Sequence, residues 1–349
     1  MRMNEPNKRY TSSFLSVFGV LAFSVLLIIA TVAIRARVTH GQSDSEKDVI
    51  HLRLAQIHSA NYPSSLGAAE FSRLVSEKTD GRIKIELFCN GRLGNDEYAI
   101  AEQVQFGGID FACVDTSALG DYAPMLDILQ LPYLIESTEQ LHRVLDGELG
   151  QKLLSSAEKN KIIGLAFYDE GQRIYCNSLR MVSRTTDLEG LRLGVPKNQL
   201  YSDMVELLGA QTVSLAYGDI YRSLQTGRIN GLEHSLLNYI NSRYYMEAKY
   251  ITLDGHAMPP SILITGKDVF DTFSPEDRAI IREAAAQSVP VQRNAYSLAE
   301  VRATKFLEGG QCEVVTNPWM VSMFTAHTTP IYEKYSHYST EIALIKSMK

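Results

Sequence analysis

The chain has 349 residues, 45% hydrophobic and 21% charged, with a formal net charge of −6. This is ordinary globular composition, and the length suits two domains. An acidic balance with no basic run gives no electrostatic footing for nucleic acid, which is set aside as a partner.

Arg2, Lys8 and Arg9 precede an uncharged stretch, Ser12–Ile34, rich in Leu, Val, Ile and Phe. A basic flank before an apolar run is the pattern of an export signal. The run is also long enough to span a bilayer, and Arg35 and Arg37 follow it directly. A signal cleaved after Ala33 and a retained anchor therefore both stay open. Residues 1–43 read as signal or anchor running into a polar tether over 39–48, and the remainder as one soluble, extracytoplasmic body.

Beyond the tether, His51–Ile57 alternates with the period of a strand. Ser65–Thr79 carries Phe71, Leu74 and Val75 at helical spacing, and Asp80-Gly81 stops it. Arg82–Phe88 is a second alternating strand, Asp96–Phe106 a helix, and Ile109–Val114 a short apolar strand covered on both faces. Glu139–Lys159 reads as one helix and Ile162–Tyr168 as a strand. Strand Leu191–Val195, helix Gln199–Leu208, strand Thr212–Tyr217 and helix Asp219–Thr226 repeat the rhythm, and Ser261–Thr265 is a further strand. The alternation predicts an α/β protein with mainly parallel sheets. Ser274-Pro275-Glu276-Asp277 is a strong helix start, and the pattern runs to about Leu307 with a kink expected at Pro290.

Enzyme and cofactor signatures are missing: there is no GxGxxG after a strand, GxxxxGK[ST], HExxH or GxSxG. The eight histidines are dispersed, so no metal site is proposed, and no cofactor is expected. Cys89, Cys113, Cys176 and Cys312 lie far apart without a CxxC. They read as small buried residues, and no disulfide is claimed.

Three ordered blocks carry a resemblance. The first is Gly91-Arg92-Leu93-Gly94 with the run from Gln103 to Phe111. The second is Gly171-Gln172-Arg173, then Asn177-Ser178 and Asp187 to Arg192. The third runs from Leu208-Gly209-Ala210 through Tyr217 to Gly227 and ends at Gly231-Leu232-Glu233. Together, over about residues 50–310, they resemble the dicarboxylate-type solute-binding proteins of TRAP (tripartite ATP-independent periplasmic) transporters. The resemblance implies a periplasmic-binding-protein-like fold of two α/β lobes, with ligand in the cleft and a long helix shared by both. Lobe I is expected over 48–170 plus 260–298, and lobe II over 171–259 plus 299–349. It further implies a monomer that closes on a small molecule and hands it to TRAP membrane subunits, with no catalysis. A membrane-anchored sensor of the same fold and a secreted enzyme are the competing readings.

In the family, a cleft arginine two residues before the Pro of a GLKIRVP-like motif pairs with a ligand carboxylate. Here that place is Gly194, within Gly190-Leu191-Arg192-Leu193-Gly194-Val195-Pro196. A second family arginine is kept as Arg173, expected to contact ligand. Lys197 reads either as a replacement cation or as a solvated lysine. The family's QENP becomes Leu232-Glu233-His234-Ser235, so Glu233 and His234 fall on the site, with His234 in place of an asparagine. Asn95 and Asp115 match cleft positions after strands, Tyr217 matches a cleft aromatic or is core, and His58 lies in the loop after the first strand. The near balance of charge favours a monosaccharide or sugar acid over an aliphatic dicarboxylate.

Overall fold

The computed structural model describes residues 49–349; the expected signal or anchor, its cleavage point and the tether lie outside the described residues. Two mixed sheets organise the chain. The first has the order β2 (Ile83–Phe88), β1 (Ile50–Gln56), β3 (Phe111–Asp115), β10 (Ser261–Gly266), β4 (Ile162–Tyr168). The second runs β11 (Glu313–Val315), β9 (Tyr250–Thr252), β5 (Arg173–Asn177), β8 (Gly231–Ser235), β6 (Arg192–Val195), β7 (Gln211–Ser214).

The sheets are mainly parallel, as expected, but each is mixed because it admits one antiparallel strand from a crossing segment. β10 runs antiparallel to both β3 and β4, and β5 antiparallel to both β8 and β9. β4 and β10 are buried at every residue, which explains their unbroken apolar sequence.

The chain passes between the sheets at residues 169–172, leading into β5, and returns through residues 253–260 after β9. The two crossings are bonded where they meet: Arg173 N–H donates to the Ala257 carbonyl at 2.8 Å. The long helix Pro275–Glu308 lies against them. The Gln292 amide is fully buried, donating to the Asp169 carbonyl at 2.8 Å and accepting from its N–H at 2.9 Å. Ser274 caps this helix, accepting from Asp277 N–H at 3.0 Å, and the helix runs on through Pro290. Helix Pro63–Lys78 packs along it at Gly67, where a Cβ would stand 2.7 Å from Gln292 Cβ.

Local chemistry explains the departures from expectation. The helix expected over 139–159 is two, Thr138–Asp146 and Glu148–Ser155, because Gly147 is extended between them (φ −90°, ψ −173°). The strand expected over 212–217 ends at Ser214, and Tyr217 opens a 3-10 turn. After the long helix come β11 and the helices Pro318–Thr328, Ile331–Lys334 and Ser339–Ser347. Lys334 pairs with Asp203 at 2.6 Å on helix Gln199–Leu207. Lys152 pairs with Glu341 at 2.6 Å, and Gln140 donates to the Ile345 carbonyl at 2.9 Å.

Candidate functional site

A cavity lies between the sheets beside the crossings, with about 770 Å³ of space counted out into the solvent at its open mouth. Strand ends from both sheets build it: Asp115 ends β3, Arg173 opens β5, and Glu233 to Ser235 end β8. Arg173 is paired across the ladder with Ser235, which puts Glu233 on the diagonal of the same face, within reach of a long side chain.

Arg173 and Glu233 form a bidentate ion pair. Nη2 donates to Oε2 at 2.8 Å and Nε to Oε1, with the two residues 2% and 1% exposed. The guanidinium stacks on Tyr201, its carbon 4.6 Å from the ring centre, and its Nη1 stands 3.5 Å from Asp115 Oδ2. Behind Glu233 lies His256, fully buried, 3.0 Å from Glu233 Oε1 and 3.0 Å from Asp254 Oδ2. Burial alone would push the Glu233 carboxyl up, but the Arg173 and His256 charges pull it down to about 2. Burial would likewise lower His256, and the Asp254 and Glu233 carboxylates raise it to about 9. Arg173, Glu233, His256 and Asp254 thus form a buried chain of alternating charge.

A second set of carboxyls has little such compensation. Glu97 is the first residue of helix Glu97–Gln105, and its Oε1 accepts from Asp115 N–H at 2.9 Å. Asp115 Oδ1 accepts from Ser117 N–H at 2.8 Å. Glu170, in the first crossing, accepts from the Tyr62 hydroxyl at 2.8 Å through Oε2, while its Oε1 is buried without a partner. Burial and neighbouring carboxylates push Glu97 well above the usual range, burial raises Asp115, and burial raises Glu170 to about 7.

Aromatic and imidazole rings line the cavity's other side. His58 stacks on Tyr62 at 4.0 Å and meets the edge of Tyr217 at 5.2 Å. Burial pushes His58 down to about 3, and burial followed by Arg173 does the same to His234, so both are neutral. His234 Nδ1 accepts from Ser235 N–H at 2.8 Å, which fixes its proton on Nε2 as a donor.

Of the residues proposed from sequence, His58, Asp115, Arg173, Tyr217, Glu233 and His234 line this cavity. Asn95 and Lys197 are not among the lining residues. Asn95 is exposed and packs against Gly218, and Lys197 is spent on an ion pair with Asp96. Arg192 does not stand in for the missing family arginine. Exposed on β6, it donates to the Gly227 carbonyl at 2.9 Å and the Arg228 carbonyl at 3.2 Å. Sequence reasoning missed Glu97, Glu170 and Asn238. Glu170 stood directly before the Gly171 block, and Asn238 follows the Ser235 that caps helix Leu236–Asn241 at 3.3 Å.

The sequence model of the family described as "Bacterial extracellular solute-binding protein, family 7" matches residues 54–338. The chain belongs to that family. It is 32% identical over 281 residues to a solute-binding protein of Chromohalobacter salexigens, covering 80% of this chain and 82% of that one. It is also similar to a TRAP periplasmic solute-binding protein from Xanthobacter autotrophicus with bound β-D-galacturonate, at TM-score 0.82 and 30% identity, covering 85% of this chain and 100% of that one. A TRAP protein from Chromohalobacter salexigens with bound D-glucuronate superposes at TM-score 0.80 and 29% identity, covering 85% of this chain and 100% of that one.

The chain is therefore a two-lobed, extracytoplasmic solute-binding protein of TRAP-type transport. No helix among the described residues is long and apolar enough to cross a membrane, and no group of potential metal ligands occurs among them.

Proposed function

We propose that the cleft captures a small hydroxylated molecule of monosaccharide size, without transforming it, and that closure around it signals the loaded state to TRAP membrane subunits. The observation that carries this is the cavity's lining. Polar side chains from both sheets and the first crossing converge on it, and His58, backed by Tyr62, and Tyr217 stand beside them. Alternating hydroxyls and C–H faces of a sugar match such a surface. The sugar acids bound by the two TRAP relatives are of the same size class. Side chains reaching one ligand from both lobes favour the closed form, and only such differential affinity lets closure report occupancy.

On this reading the lobes divide at the crossings, 48–170 with 260–298 against 171–259 with 299–349, and the protein acts as a monomer. The ligand contacts are Arg173, Asp115, Glu233, His234, Tyr217 and His58. A thermal-shift screen of sugars, sugar acids, amino sugars and polyols tests it. A ligand at 100 times its Kd stabilises by about 2.7 kcal/mol, and solution scattering with that ligand is expected to show compaction. A screen with no stabilising compound, or scattering unchanged by a stabilising one, refutes the reading. An unaltered ligand recovered after prolonged incubation separates capture from turnover.

A further inference from the structure

The cavity's charge points to a narrower ligand class, resting on the reading that this cleft is the ligand site. Five carboxyl side chains line it, those of Asp96, Glu97, Asp115, Glu170 and Glu233, against one cation, Arg173. Two of the five are accounted for: Lys197 pairs with Asp96, and Arg173 holds Glu233 bidentately. His256 is charged but already bonded to Asp254 and Glu233. Glu97, Asp115 and Glu170 are left with no cation of their own beyond the weak 3.5 Å approach of Arg173 Nη1 to Asp115. Where the resemblance puts a carboxylate-binding arginine, Gly194 offers no side chain. The atoms nearest a Cβ there are the methyls of Ile229, at 2.9 Å, and Leu215, at 3.2 Å, and then the Leu232 Cβ.

The unpaired atoms say the same. Glu170 Oε1, the Asn238 carbonyl Oδ1 and His58 Nδ1 are all buried without a partner, in residues 5%, 4% and 7% exposed that line the cavity. The two oxygens are acceptors, Glu170 Oε1 in its ionised form, while His58 Nδ1 accepts or donates according to its tautomer. Buried polar atoms in native proteins find partners, so the two oxygens await donors from the ligand. A ligand carboxylate brings no donor and adds one more carboxylate to a set already crowded. A hydroxyl brings one donor, and an ammonium brings three with the compensating charge.

We infer that the ligand is a hydroxylated molecule without a carboxylate, presenting hydroxyl and ammonium donors to Glu97, Asp115 and Glu170, with an amino sugar or aminated polyol as the best match.

Isothermal titration of the purified exported protein with matched triplets tests this. Each triplet is the uronate, the neutral hexose and the hexosamine of one configuration, in the galacto, gluco and manno series at pH 7.5. In the series that binds, the hexosamine is expected to bind tightest and the uronate at least about tenfold weaker than the hexose, one lost charge-assisted contact. Glu170→Gln is expected to narrow the gap between hexosamine and uronate. A uronate as the tightest member overturns the inference while leaving sugar capture standing. Failure of every compound, together with a blank broader screen, overturns the capture reading and the inference with it. Because the triplet comparison uses the unmutated protein, it stands even where Glu170→Gln fails to fold.

Discussion

Exchange of Arg173 for methionine removes the cation but keeps an unbranched side chain of similar length. The Glu233 carboxyl sits at about 2 in the fold against 4.5 outside it, and a displacement of about 2.5 pH units at roughly 1.4 kcal/mol each gives about 3–4 kcal/mol. This agrees with about 3–5 kcal/mol for breaking a buried pair from one side. Because the folded value is the lower one, the stabilisation is complete above pH 4.5 and disappears as pH falls through about 2. Urea unfolding at pH 7 is therefore expected to show a loss of about 3–4 kcal/mol in Arg173→Met, shrinking at pH 3 to about half. Adding Glu233→Gln removes the stranded charge and is expected to restore most of the loss. A single-variant loss below about 1 kcal/mol, or a double variant no better than the single, would show that the pair is not the buried electrostatic unit described.

Three further outcomes follow from particular contacts. Gly194→Arg is expected to raise uronate affinity about tenfold or more in calorimetry, since Gly194 lines the cavity and the two atoms nearest a Cβ there are terminal methyls, of Ile229 and Leu215; unchanged affinity places residue 194 off the ligand path. Alanine normally stabilises a helix over glycine by about 1 kcal/mol, yet Gly67→Ala is expected to lose about 1–3 kcal/mol in chemical denaturation. Its Cβ would meet Gln292 Cβ at 2.7 Å and Tyr168 Cζ at 3.0 Å; a gain in stability refutes that packing. All four cysteines are free and buried, so Ellman's reagent is expected to titrate none in the native protein and four in denaturant; fewer than four thiols after unfolding without reductant indicates a disulfide.

The first lobe was legible because its strands declare themselves. Ile83, Ile85 and Leu87 alternate, and β4 and β10 are continuous apolar runs. The second lobe hid β5 and β8, which carry Arg173, Asn177, Glu233 and His234 at buried or half-buried positions. A strand that satisfies polar side chains through ion pairs has no apolar period to read. The same limit applied to the site. Ordered motif blocks pointed to Arg173, Glu233 and His234, but Glu97 and Glu170 come to line one cavity only through the crossing of chain between sheets. Lys197 was drawn to the site by spacing, and Asp96 at the cavity mouth claims it instead.

Neither sheet is built from one uninterrupted stretch of chain. β10 joins the first sheet only after the second has been visited, β11 closes an edge of the second after the 34-residue helix, and helix Ser339–Ser347 docks back near Lys152. A nascent polypeptide therefore holds no finished half until nearly its last residue has been made, and its slow, long-range closures come late. For a protein that must be threaded outward before it acts, late completion keeps the chain translocatable, and a fragment cut near residue 260 is expected to leave both halves open.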